Sequence, residues 1–286
     1  MATEEQVMLH GPWWTTGLHS LLFNGTIVEH DPFVSVMLGV GPAPSTGAYS
    51  LFSYWVTLCL FSPSMFNVLG LTISLLTKEW GAYMNNRAEL RRQAWLTSKG
   101  LVLSTPVLAV MMRAILEQRV GRLRYDDDNI AWPEYIFSAI AFILVQDTTF
   151  YLMHRLWHTE LLYDLSHHLH HSCRPTTTFA ASAADVFEIT FTGYVSALMP
   201  ALVVPMGARL FLIMDLFGHL WSIYLHNHDA HRIGLLVYDP HDHNVHHYYG
   251  QRNFNFGLYT QIPDRIMGTF KAFTPTGRLS LSKKLE

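Results

Sequence analysis

Fourteen of the 17 histidines in this 286-residue chain lie between His154 and His247, and their spacing is ordered. His154-Arg-Leu-Trp-His158 reads H-x-x-x-H. His167-His-Leu-His170-His171 and His243-Asn-Val-His246-His247 both read H-x-x-H-H. A further group, His226-Asn-His228-Asp-Ala-His231, lies between the last two. A helix advances about 100° per residue, so positions i and i+4 share a face, and i, i+3 and i+4 fall within roughly 100° of arc. Each motif is therefore a fork of imidazoles, suited to holding a transition metal. One zinc ion needs only about three or four ligands. The eight histidines of the three motifs, with the fourth group beside them, imply a dinuclear site. A lone histidine is usually structural or solvated, but a surface that buffers metal loosely has no reason to keep forked spacing in three places.

Asp147, Tyr151, His154 and His158 fall on one stripe of a helix. An acid inside an apolar segment is costly and reads as functional. Asp147 is expected to accept a ring N–H and fix the tautomer of a ligating histidine, with Tyr151 beside it in the catalytic machinery. The plainer alternative pairs Asp147 with Arg155 or a backbone group. Asp215, His219 and His226 form a similar stripe further on, where the simplest reading of His219 is a hydrogen-bonded core residue.

Neutral imidazole suits iron, zinc, copper and nickel. Dinuclear hydrolases commonly bridge their metals with carboxylates, and the three best motifs contain none. A greasy substrate with no good leaving group calls instead for cutting C–H bonds with iron and O2. Two alternatives stand beside this reading: a zinc-dependent membrane hydrolase, and a His-rich membrane metal transporter or chaperone. A transporter would place ligands near the midplane of several spans, whereas most of these histidines begin just beyond the span ends.

The elements that must position the histidines are apolar helices. Half of the chain is hydrophobic and only 14% is charged, against roughly a quarter in ordinary soluble domains. Residues Pro32 to Thr77 form a run of 46 without Asp, Glu, Lys, Arg or His. That run fits one membrane span with its approach, or a re-entrant pair broken near Pro63. Further apolar segments cover about 97–117, 132–153 and a pair at 189–206 and 209–226, split by Pro205-Met206-Gly207. The expected fold is all-α, a transmembrane bundle of about four spans capped by a cytosolic His-rich helical region. Residues 1–129 read as an N-terminal membrane region, 130–275 as the catalytic region and 276–286 as a tail. The net charge of −3 and the lack of a basic stripe argue against nucleic acid. Two cysteines cannot make a disulfide framework, and the chain is too apolar to be disordered.

The first 77 residues hold no Lys or Arg, whereas Lys78, Arg87, Arg91, Arg92 and Lys99 follow closely. The positive-inside rule puts the 78–99 stretch in the cytosol, and alternating spans bring the histidines to the same side. Arg119, Arg122 and Arg124 oppose this, tempered by Asp126, Asp127 and Asp128. The N-terminus lacks the basic region of a secretory signal. Asn24-Gly25-Thr26 is a glycosylation pattern that would face the lumen. Lys283 and Lys284 have the spacing of a dilysine retrieval signal for the endoplasmic reticulum.

The histidine motifs and the segments between them resemble the fatty acid hydroxylase/sterol desaturase superfamily. The likeness extends to Asp147-x-x-x-Tyr151-x-x-His154-Arg155-x-x-His158, to Asn253-Phe254-Asn255-Phe256-Gly257 and to Asp264-Arg265-Ile266-Met267-Gly268-Thr269, covering about residues 130–275. The resemblance implies an integral endoplasmic-reticulum oxygenase acting on a lipid, sterol-like or secondary-metabolite substrate. It implies two iron ions, which purification can exchange for zinc, together with O2. Electrons would come from NAD(P)H through a separate donor such as cytochrome b5. Carried over by position, the ligands are His154, His158, His167, His170, His171, His243, His246 and His247, with His226, His228 and His231 from the fourth group. Departures at Asp164, Asp185-Val186 and Pro263 point to a specialised substrate.

Overall fold

The computed structural model describes residues 51–77, 86–125, 129–227, 233–234, 236–251 and 254–272. The sequon at Asn24, the dilysine pair, His228 and His231 lie outside them. Eight helical elements carry the architecture of the described residues. They are α1 (Leu51–Leu76), α2 (Arg87–Leu116) and α3 (Trp132–Trp157), then α4, which runs from Glu160–Leu162 through a π turn at Tyr163–His167 into His168–His171. Next comes α5, built from Val186–Glu188, a π-helical stretch Ile189–Tyr194 and Val195–Val203. The last three are α6 (Ala208–Leu225), α7 (Pro240–Tyr249) and α8 (Ile262–Ile266).

Five of these helices, α1, α2, α3, α5 and α6, are long and apolar enough to cross a membrane. Their outward faces stay greasy: Leu60 and Phe61 on α1 and Phe137 and Ile140 on α3 are all more than half exposed. No water-soluble surface of this size leaves such patches bare without a partner or lipid to cover them. The run around Pro63 is one continuous helix rather than a re-entrant pair. Within it Asn67 donates to the Pro63 carbonyl at 2.7 Å and to Ser98 Oγ on α2 at 2.9 Å.

The expected pair at 189–206 and 209–226 forms two full helices, which gives five candidate spans among the described residues. Val204 is extended ahead of Pro205, as the residue before proline prefers. Met206–Gly207 (β2) then pairs in parallel with Leu123–Arg124 (β1), in the register Leu123 to Met206. This small clasp ties the α2–α3 connection to the α5–α6 turn. Arg119 and Arg124 at this end pair with Glu117 and Glu134. These partners offset part of the positive charge that opposed the topology.

The chain alternates along the bundle, so the C-terminal ends of α1, α3 and α6 and the N-terminal ends of α2 and α5 share the end away from the clasp. Thr77 there accepts from Asn227 Nδ2 at 2.7 Å. Arg92 of α2 donates to the Ser172 carbonyl at 2.9 Å. Gly100 lets α2 approach closely, since a Cβ there would lie 2.5 Å from the Ala184 carbonyl oxygen.

Candidate metal centre

The histidines gather at that shared end. The last two turns of α3 present His154, with His158 as its C-cap. Helix α4 adds His167, His170 and His171, α6 ends on His226, and α7 adds His243, His246 and His247. Asp239 caps α7 by accepting from the His241 and Asp242 amides, and Pro240 stands in its first turn, a common way to start a helix.

Nine buried imidazoles form two sets, with the nitrogens of each set within 4.8 Å of one another. His154, His158, His167, His171 and His246 make the first; His170, His226, His243 and His247 make the second. Each H-x-x-H-H fork is split between them. From α4, His167 and His171 go to the first set and His170 to the second; from α7, His246 goes to the first and His243 and His247 to the second.

The ring nitrogens face inward. In the first set His167 Nε2 lies 2.9 Å from His158 Nε2 and 3.1 Å from His171 Nε2. In the second, Nε2 contacts run from His247 to His243 at 3.1 Å, His243 to His226 at 3.0 Å and His226 to His170 at 3.4 Å. Bonds of about 2.0–2.1 Å to one tetrahedral ion would put two nitrogens ~3.3 Å apart.

Acceptor-only oxygens fix the tautomers. His154 Nδ1 donates to the Phe256 carbonyl, His246 Nδ1 to that of Phe254 and His226 Nδ1 to that of Ser222. His167 Nδ1 donates to Glu188 Oε1 at 2.8 Å. With Nδ1 protonated, a neutral ring keeps a bare lone pair on Nε2. His246 Nε2 is buried and has no hydrogen-bond partner. Burial, reinforced by neighbouring imidazoles, pushes His167, His171, His243 and His247 well below the usual histidine range. Burial also lowers His170 and His246 to about 3. Neutral lone pairs converging this closely repel one another unless a cation lies between them, so the residues fit two transition-metal ions.

The match to known proteins agrees with that geometry. The family model described as Fatty acid hydroxylase matches residues 139–269, which hold all nine imidazoles. Over that stretch the chain resembles the fatty acid hydroxylase/sterol desaturase superfamily. Among its relatives, a Delta(7)-sterol 5(6)-desaturase of Candida glabrata is 25% identical over 82% of this chain and 65% of its own length. A protein of the same name from Eremothecium gossypii is 28% identical over 47% of this chain and 37% of its own length. Human Lathosterol oxidase is 27% identical over 71% of both chains. The chain thus spans less than two thirds of the length of the first two relatives. No solved structure matches it.

The loop 254–260 holds the first set from behind. Asn255 turns it in the left-handed region at φ 58°, a conformation that asparagine tolerates. Its side chain ties Asp242 to Lys271. Asp264 accepts the amides of Phe256 and Gly257 at 2.9 and 2.8 Å. The Asp147 carboxylate accepts the amides of Leu258 and Tyr259 at 3.0 and 2.9 Å and the Thr260 hydroxyl at 2.6 Å. This corrects the expected role of Asp147: it grips the loop whose carbonyls orient His154 and His246, and it touches no histidine.

The carboxylate that does accept a ring N–H is Glu188, at the start of α5 and capped by Asp185. Position 188 carries no spacing signal tying it to a histidine, so only the fold reveals the pairing. Tyr151 also stands back from the sets. Its hydroxyl lies 3.0 Å from Thr269 Oγ1, and its ring packs edge-on against Phe256.

A cavity runs from both sets into the bundle. His154, His167, His170, His226 and His243 line its head. Its walls include Phe66, Leu101, Phe150, Ala184, Ile189 and Ala197. A lining of this kind suits a largely apolar small molecule.

Proposed function

We propose that this chain is a multi-pass membrane oxidoreductase that uses O2 to hydroxylate or desaturate an apolar C–H bond of a lipid, sterol-like or secondary-metabolite substrate. The observation that carries this reading is the pair of buried imidazole sets at the head of an apolar cavity inside a bundle of membrane-length helices. Two iron ions held there would supply activation of O2, with electrons from NAD(P)H through a separate donor such as cytochrome b5. The names of the relatives, sterol desaturases and an oxidase, agree with this chemistry.

The chain's own residues divide the work. His154, His158, His167, His171 and His246 hold one ion, and His170, His226, His243 and His247 the other. Glu188 and the Phe254 and Phe256 carbonyls keep ring protons on Nδ1 and lone pairs on Nε2. The apolar walls exclude water and aim the substrate's C–H bond at the gap between the sets. Residues 130–275 act as the catalytic region and 1–129 as its membrane support. Arg87, Arg91 and Arg92 at the start of α2 share an end with the histidines, which supports a cytosolic site in the endoplasmic-reticulum membrane.

The other readings find less support. Neither set includes a carboxylate, which a bridged dinuclear hydrolase would use. Both sets sit at one end of the bundle, where a transporter would place ligands at the midplane. The test is expression of the full chain with a reductase chain under ¹⁸O2, against a His246→Ala control. The expected result is an ¹⁸O-labelled alcohol or a new alkene in the lipid and metabolite extract, absent from the control. A product formed equally without O2, or by the control, would overturn the reading.

A further inference from the structure

The walls of the cavity are not uniformly apolar. Gln146 of α3 and His219 of α6 both line it. Gln146 Oε1 accepts the Tyr259 hydroxyl at 2.7 Å, which turns the amide so that its Nε2 donates to no protein acceptor among the described residues. His219 Nδ1 donates to the Asp215 carbonyl at 2.7 Å. A carbonyl only accepts, so the neutral ring presents Nε2 as a bare acceptor. Its face is set edge-on against Phe66 at 5.2 Å.

One donor and one acceptor therefore stand on neighbouring helices, each held by a second hydrogen bond. Gly218, next to His219, lets α6 approach the Gln146 amide: a Cβ there would lie 3.3 Å from both Gln146 amide atoms and 2.6 Å from the Tyr259 hydroxyl. A larger residue at 218 would fill the space through which α6 meets this pair.

The pair also sits at one depth. Gln146 precedes His154 by eight residues on α3, and His219 precedes His226 by seven along α6. At about 1.5 Å per residue, both polar groups lie roughly 10–12 Å down the cavity from their ligand histidines. Polar side chains at membrane depth are costly and face interior cavities when they serve a purpose.

We propose that Gln146 and His219 form a recognition subsite for one hydroxyl or similar hydrogen-bonding group on an otherwise apolar substrate. The subsite would hold that group about 10–12 Å from the carbon presented to the metal sets. The Gln146 amide donates to the substrate oxygen, and His219 Nε2 accepts the substrate hydroxyl proton. Tyr259 and the Asp215 carbonyl keep both groups turned toward the cavity. The inference rests on the oxidoreductase reading only in taking the cavity as the substrate site.

The experiment is equilibrium binding without turnover, so it stands apart from any failure of the oxidation test. Full-length, metal-loaded protein in detergent is titrated with tritiated hexadecan-1-ol and with tritiated hexadecane by scintillation proximity. The wild type is expected to bind the alcohol about tenfold more tightly than the alkane. The Gln146→Leu/His219→Leu variant should keep its metal content and its alkane binding while losing that preference. His219→Gln, which still offers an acceptor, should recover part of it. A wild type that binds neither probe, or binds them equally, would overturn the subsite. So would a double variant that keeps the full preference.

Discussion

Replacing Asp147 with alanine tests the link between the loop 254–260 and the metal centre, because Asp147 reaches the centre only through that loop. The side chain is buried and accepts from the Leu258 amide, the Tyr259 amide and the Thr260 hydroxyl at 3.0, 2.9 and 2.6 Å. Alanine leaves two backbone donors without their acceptor, each at about 1–3 kcal/mol when buried. The loop then loosens two residues beyond Phe256, whose carbonyl holds the His154 ring at 3.1 Å. Loss of a partner that orients a ligand typically weakens metal binding by about 10–100-fold. Asp147→Ala is therefore expected to weaken metal binding at the first set by that factor, with every histidine intact. Asp147→Asn keeps one oxygen for the two amides and should lose much less. The assay is chelator competition on purified protein, with bound metal counted by mass spectrometry. A double-mutant cycle with His154→Ala adds the decisive comparison, since two residues on one route give non-additive losses. An alanine variant that holds metal within about twofold of wild type would refute the reasoning. Equal damage from asparagine and alanine would instead point to the charge, not the grip on the loop.

Three further outcomes follow from the same geometry. Glu188→Ala should weaken the first set by roughly tenfold through His167, whereas Glu188→Gln, which keeps an acceptor, should lose less; equal retention by both in chelator competition would contradict the pairing. His170→Ala should lower the metal content from two ions per chain toward one, because His170 belongs only to the second set; loss of both ions or of neither would argue against two separable sets. Acid should destabilise the metal-free protein. Burial holds His170 and His246 near 3, below their ordinary value of 6.5, so between those pH values the unfolded chain binds protons that the folded chain refuses. Stability is full above about pH 6.5 and falls as the pH drops toward 3. The melting midpoint of chelator-stripped protein should be lower at pH 5.5 than at pH 7.5, and an equal or higher midpoint would count against neutral buried rings.

Much of the helical order was legible in the sequence because apolar length and turn residues act locally. Pro205 ends one helix and starts another, and the apolar segments each return as a helix. All eight motif histidines and His226 enter the two sets, and helical spacing already brings each fork together on its own helix. Longer-range partners were not legible. Asp147 meets residues more than a hundred positions away, and nothing in its i, i+4, i+7 stripe separates a loop amide from a ring N–H. Glu188 finds His167 only because α5 begins beside α4. The π turn at Tyr163–His167 also shifts the phase of the first H-x-x-H-H motif, which a uniform helical wheel does not anticipate.

The division of each fork between the two sets explains how this site keeps two ions apart without a bridging acid. Within α4, His170 of the second set lies 5.5 and 5.8 Å, ring centre to ring centre, from His167 and His171 of the first. Within α7, His246 of the first set lies 5.5 Å from both His243 and His247 of the second. Two of these pairs are i, i+3 neighbours, one helical turn apart, and two are successive residues that point to different faces. The separation of the sets is therefore written into the pitch of two short helices, and carboxylates are left free to hold ring protons and loop amides. It also follows that α4 and α7 act as rigid couplers. A change that bends either helix moves ligands of both ions together, whereas a change at His226 or Glu188, which serve one set each, acts on that set first.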